Sequence, residues 1–178
     1  MPSHIEHIGI KKNEIDTPVL LVDFEALEYN IEKMAEHFRK TKKNLRPHSK
    51  SHKTPEIAKL QLKAGAIGIT CAKLGEAEVM AETGIENILI ANEVVGSKKI
   101  SRLIELAKKC DLIVAVDDLN NLSQINEAAE LENVKLGVLI EINIGHNRCG
   151  VTPGENVKTL VKQANKYKNI RFDGIMGY

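Results

Sequence analysis

The chain has 178 residues, and its 25 Lys and Arg nearly balance its 24 Asp and Glu, which fits one domain and excludes a generic nucleic-acid surface. Aromatic residues make up only 3% and Trp is absent, so the core must be aliphatic, as in α/β proteins. Three widely spaced cysteines, the lack of an apolar run in Met1 to Lys12, and no stretch near the ~20 apolar residues of a membrane helix point to a soluble cytoplasmic protein without disulfides.

After a polar leader, Thr17 to Val22 reads as a strand and Asp23 as the cap of a helix. Leu27, Ile31, Met34 and Phe38 give that helix an apolar stripe. Leu45 to Lys50 reads as a short strand. Thr54 and Pro55 open a second helix at N-cap and N1, which runs to Ala64 and stops at Gly65. Strands at Ala66–Ala72, Asn87–Ala91, Leu112–Val116, Lys135–Ile144 and Ile170–Met176 then alternate with helices at Gly75–Thr83, Ser97–Lys109, Leu119–Leu131 and Pro153–Tyr167.

This alternation predicts a parallel sheet with right-handed crossovers. Apolar runs such as Ile88-Leu89-Ile90 predict burial on both sheet faces. A doubly wound sheet or a (β/α)8 barrel would both fit. A full barrel needs eight strands and typically about 250 residues, so as a barrel this chain is incomplete, with about six of the eight strands.

In such folds chemistry gathers at the carboxyl ends of strands. Those ends carry Lys50, Lys73, Asn92 with Glu93, Asp117 with Asp118, Asn143 and Tyr178, and Arg148 follows in a loop. Asn92, Glu93 and Asp118 read equally well as solvated loop starts. Arg46-Pro47-His48-Ser49-Lys50-Ser51-His52-Lys53 is the densest cationic stretch. The strand period of two puts Arg46, His48 and Lys50 on one face. Like charges lower the pKa of an amine and so favour a nucleophile that can bond a carbonyl. Burying such a cluster calls for an anionic ligand or a bound carboxylate. A snorkelling basic rim is the plainer alternative.

Glu76 and Glu78 read as charges compensating a helix dipole. Cys71 reads as a small buried residue, and His4, His7, His37 and His146 as surface residues. Gly145-His146-Asn147-Arg148-Cys149-Gly150 is a glycine-bounded loop where Arg148 would suit a fixed oxygen. Zinc spacing, a Walker loop and a dinucleotide fingerprint are absent from the sequence. Asp117-Asp118 reads as a turn or helix N-cap rather than a metal pair.

Six motifs together resemble one family. They are Thr17-Pro18-Val19-Leu20-Leu21-Val22-Asp23, the basic stretch, Cys71-Ala72-Lys73-Leu74-Gly75-Glu76-Ala77-Glu78-Val79, Ala91-Asn92-Glu93-Val94-Val95-Gly96, Gly145 to Val151, and Gly174-Ile175-Met176-Gly177-Tyr178. The chain is similar to the N-terminal part of fold-type III pyridoxal-phosphate enzymes, of the D-threonine aldolase and D-serine dehydratase-like group, whose barrel is related to alanine racemase. The resemblance implies that Lys50 holds pyridoxal 5'-phosphate as an internal aldimine. It places Arg148 near the cofactor's phenolic oxygen, and Tyr178, His48 and Lys73 around the cofactor. Lys73 departs from the glutamine or threonine often found at its position.

The activity implied is a PLP-dependent lyase making a retro-aldol cut in D-3-hydroxy amino acids. Elimination to pyruvate and ammonia, as in D-serine dehydratase, is the alternative, as is a non-catalytic PLP-binding fragment. The resemblance further implies a longer homodimeric protein, roughly twice this length, with a divalent metal whose ligands lie outside this chain. Residues 1–22 would then be a leader and first strand pairing with a C-terminal β-domain, and 23–178 a partial PLP-binding barrel.

Overall fold

The structure is a computed structural model that describes residues 8–178. His4 and His7 lie outside the described residues, and His37 is exposed as expected. Helix α1 spans Phe24–Thr41, and the Asp23 carboxylate accepts the Ala26 N–H at 3.0 Å, as an N-cap should. Helix α2, Pro55–Lys63, begins with proline at N1, where a missing N–H costs nothing. Thr54 does not cap it with its side chain. Its hydroxyl instead donates to the His52 carbonyl at 2.7 Å.

From there strand and helix alternate. The order is β1 Ile69–Cys71, α3 Leu74–Glu82, β2 Asn87–Glu93, α4 Ser97–Ala107, β3 Asp111–Val116, α5 Leu119–Leu131, β4 Leu136–Ile142, α6 Glu155–Ala164 and β5 Ile170–Gly177. The five strands are parallel and stand in the order β1-β2-β3-β4-β5. This order decides between the two folds open from sequence. A doubly wound sheet reverses strand order at a switch point, whereas each strand here pairs with its successor, as in a barrel wall. The fold is therefore a partial α/β barrel with a five-stranded parallel sheet.

The core lies between sheet and helices. Ile88, Ile90, Leu112, Val114, Leu136 and Ile140 from the strands meet Leu103, Ile104, Leu122, Ile125 and Leu160 from the helices. Among the described residues, no helix is long and apolar enough to cross a membrane.

Three expectations are corrected. Thr17 to Val22 forms no strand, and Leu20 is 97% exposed. Leu45 to Lys50 contributes only the bridge between His48 and Thr70. Its backbone still follows a parallel ladder, with Ile67 N to Leu45 O at 2.9 Å, Thr70 N to Pro47 O at 2.8 Å and Ser49 N to Thr70 O at 2.8 Å. Pro47 has no N–H to donate, which limits the pairing. The apolar stripe of α1 is also not buried, Ala35 being the helix's one buried residue. Leu27, Ile31, Met34 and Phe38 instead line an open cavity of about 730 Å³ facing Leu45 and Ala66.

The sheet face away from the helices carries a polar network that the sequence does not announce. Arg46 bonds Asn87, Asn87 donates to Asp111 at 2.9 Å, and Arg171 bonds Asp111 at 2.8 Å and Asp173 at 2.6 Å. Arg171 on β5 reaches β3 across β4, where Gly137 lies in register with it. A Cβ on Gly137 would come within 2.8 Å of Arg171 Nη2. Likewise, a Cβ on Gly68 would meet Arg46 and come within 2.7 Å of the Asn87 carbonyl oxygen. Each strand-skipping bond thus passes over a glycine.

Candidate active site

The basic segment divides by layer. Arg46 lies lowest, in the polar network. Burial pulls its pKa down, while Asp111 and Asp173 oppose that pull. The anion expected for the cationic cluster is therefore supplied, for Arg46, by carboxylates of the chain itself. Ser49 anchors the segment. It is buried, its N–H and hydroxyl both engage the Thr70 carbonyl, and the Lys53 N–H returns to its own carbonyl at 2.7 Å. This tight turn leaves Lys50 exposed at the carboxyl end of the segment.

Lys50 and Lys53 differ in their surroundings. Lys53 Nζ lies 3.4 Å from Glu76, whereas Lys50 has no ion pair among the described residues. Glu76 also accepts the Ala72 N–H at 2.8 Å. Burial acts to raise its pKa but is outweighed by these bonds, so the carboxyl is held below its ordinary range. The Lys50 N–H donates to His48 Nδ1 at 3.3 Å. Burial, then the nearby Lys50 charge, lower the His48 pKa. His48 thus presents Nδ1 as an acceptor toward the backbone of Lys50.

Lys73 is exposed and occupies the N-cap position of α3. It shares a shallow pocket with Lys53, Glu76 and Val79, on the α3 side. The structure does not place it against Arg148 or Tyr178.

Those two residues do come together. The Arg148 guanidinium lies 5.1 Å from the centroid of the Tyr178 ring, and His146 meets the same ring edge-on at 5.4 Å. The loop between β4 and α6 carries both Arg148 and His146. Asn143 stabilises its first turn by accepting the Gly145 and Asn147 N–H groups at 3.0 and 3.1 Å. The loop closes with Asn143 N to Val151 O and Val151 N to Glu141 O, at 2.9 and 3.0 Å.

Beneath the loop is a group that sequence reading missed. Glu93, Glu141 and Cys149 place their ligand atoms within 4.8 Å of one another. Glu141 is only 3% exposed and accepts from the Cys149 thiol at 3.1 Å. Burial first, then Asp117 and Glu141, push Glu93 up to about 7. Arg148 pulls the Cys149 thiol down, but burial and the carboxyls outweigh it and leave the pKa raised. The one sequence signal for Glu141 is a charge inside the apolar run Leu139-Ile140-Glu141-Ile142. Asp118 caps α5 through the Asn121 N–H at 2.9 Å, as expected, while Asp117 accepts the Gly150 N–H at 2.9 Å.

A parallel β/α wall with its unpaired lysine and its arginine–tyrosine pair at carboxyl ends of strands defines a partial barrel of the kind that binds ligands at that rim. The chain belongs to the alanine racemase N-terminal domain family, whose description matches residues 22–178. It is 40% identical over 172 residues to 3-hydroxy-D-aspartate aldolase of Paracoccus denitrificans, covering 96% of this chain and 44% of that protein. It is also 40% identical over 164 residues to D-threonine aldolase of an Arthrobacter species, covering 92% and 43%. Among solved structures, D-threonine aldolase from Filomicrobium marinum superposes with a TM-score of 0.89 at 43% identity, over 90% of this chain and 44% of that one. The chain thus spans less than half the length of the relatives it matches.

Proposed function

We propose that this chain is the cofactor-anchoring part of a pyridoxal 5'-phosphate-dependent lyase that cleaves the Cα–Cβ bond of D-3-hydroxy amino acids. The observation that carries this reading is 40% identity to two curated aldolases over more than nine-tenths of the chain. The local chemistry fits the cofactor. An exposed amine without a counter-ion suits its aldehyde, and a guanidinium stacked on a phenol ring suits its phenolic oxygen. When bound, the cofactor supplies a sink for the electron pair of the broken bond.

In this reading Lys50 is the covalent anchor. Ser49 fixes the turn that presents it, and Glu76 takes up the competing charge of Lys53. Arg148 binds the phenolic oxygen while Tyr178 keeps its guanidinium in place. His48, whose Nδ1 accepts the Lys50 N–H, stands beside the anchor, and Lys73 adds charge at the rim. In the Glu93–Glu141–Cys149 group, burial raises the pKa of both Glu93 and the Cys149 thiol. Cys149 donates to Glu141, and Glu93 stays largely protonated up to about pH 7. Following the family resemblance, we place the divalent metal in the part of the longer protein that this chain does not match. A β-domain that pairs with residues 1–22, a homodimer and a cytoplasmic setting complete the proposal, the last supported by three free cysteines.

The test is a titration of the 178-residue chain and its Lys50→Ala variant with pyridoxal phosphate, followed by visible absorbance and borohydride trapping. The wild type is expected to gain a band and a trapped adduct on the Lys50 peptide. A trapped adduct on Lys53 or Lys73 instead would refute the anchor. For the full-length protein, D-threonine should yield glycine and acetaldehyde. Release of ammonia and a 2-oxo acid would transfer the assignment to the dehydratases, to one of which, D-threo-3-hydroxyaspartate dehydratase of a Delftia species, the chain is 31% identical over 138 residues.

A further inference from the structure

Arg148 is exposed, and its guanidinium meets the face of Tyr178. Its position therefore depends on the backbone of the loop that bears it. That loop is tied down immediately after Arg148. Cys149 donates to Glu141 at 3.1 Å, and Gly150 donates its N–H to Asp117 at 2.9 Å. Gly150 has φ +92, and a Cβ there would lie 2.6 Å from the Ile142 carbonyl carbon and 2.7 Å from Asn143 N. The chain is thus folded directly onto the end of β4, with no room for a side chain.

Both acceptors come from the sheet. Asp117 follows β3, and Glu141, almost fully buried, belongs to β4. A charged acceptor makes the stronger kind of hydrogen bond, and a buried one cannot drift. Resting on the reading of Arg148 as a cofactor contact, we propose that Asp117 and Glu141 are positioning residues. They clamp the two residues after Arg148, and so set where the guanidinium meets Tyr178 and the cofactor. Neither needs to touch the cofactor. Asp117 holds the loop through the backbone and Glu141 through a side chain, so the two clamps can be removed separately.

The experiment uses the 178-residue chain and four variants: Asp117→Ala, Asp117→Asn, Cys149→Ala and Cys149→Ser. Limited trypsin digestion without cofactor reports loop release through cleavage after Arg148, compared with cleavage after Lys53 in the same sample. Titration with pyridoxal phosphate reports affinity. Asp117→Ala and Cys149→Ala are expected to speed cleavage after Arg148 selectively and to weaken affinity about tenfold, as the loss of one good hydrogen bond predicts. Asp117→Asn and Cys149→Ser, which keep an acceptor and a donor, should return both readouts to within about threefold of wild type.

Unchanged cleavage and affinity in both alanine variants would overturn the proposal. So would equal acceleration at both sites, which would mark general destabilisation. The conservative Cys149→Ala change keeps the test decisive if Asp117→Ala does not fold. If the wild type itself binds no pyridoxal phosphate, the cofactor reading fails, and the Arg148 cleavage still reports on the clamp alone.

Discussion

Glu93 shows most directly what the residue scale contributes. Its carboxyl lies among Asp117, Glu141 and Cys149, and burial raises its pKa from 4.5 to about 7. A raised carboxyl pKa means the folded protein holds a proton the unfolded chain has released. Stability from this group therefore falls as pH rises from 4.5 through about 7, and is flat outside that window. Glu93→Gln is expected to melt higher than wild type above pH 7, with the gap closing below pH 4.5, as thermal denaturation across pH would record. A constant difference at all pH values would exclude the ionisation as its cause. The same scale separates Lys50 from Lys53, since one is paired with Glu76 and the other is not. Sequence pattern grouped Arg46, His48 and Lys50 by the strand period, but it could not show that Arg46 finds Asp111 and Asp173. Those partners are more than sixty residues away, and local periodicity carries no information about them.

At the scale of elements, the sequence was legible wherever an element's residues bury against their own neighbours. Helix α5 runs Leu119–Leu131 as its stripe and cap require, and Asp118 closes its first turn. Asp118→Ala should cost about 1 kcal/mol in chemical denaturation, the usual loss for a removed N-cap. Thr17 to Val22 and Leu45 to Lys50 were not legible in this way, because an apolar alternation shows that a strand could form and not whether a partner lies beside it. The glycines were legible only in part. Gly150 stands in a loop where glycine is expected, but Gly68 and Gly137 serve side chains that pass over them. Gly137→Ala should destabilise by about 1–3 kcal/mol through crowding of Arg171 and Asp173. Adding Asp173→Ala should recover part of that loss, and denaturant melts of the single and double variants would show the coupling.

On the scale of the whole molecule, the sheet is open. β5 pairs with β4 alone among the described residues, and Ile175 on it is 57% exposed. The cavity beside α1 adds a second apolar surface. Open edges and apolar faces favour association. The 178-residue chain is expected to sediment as larger species as concentration rises, and Ile175→Lys to shift it toward monomer. Concentration-independent sedimentation of the wild type would show that the edge is protected in solution.

The neighbour-to-neighbour strand order has a kinetic consequence. Every pairing in the sheet closes across a single helix, so the sequence separation between partners stays short and even along the chain. Folding can then advance one strand–helix unit at a time, without a distant edge having to be found first. The two bonds that skip a strand are formed only when the segments on both sides of that strand are in place. Arg171 with Asp111 and Arg46 with Asn87 would thus report late events, as latches on a wall already built.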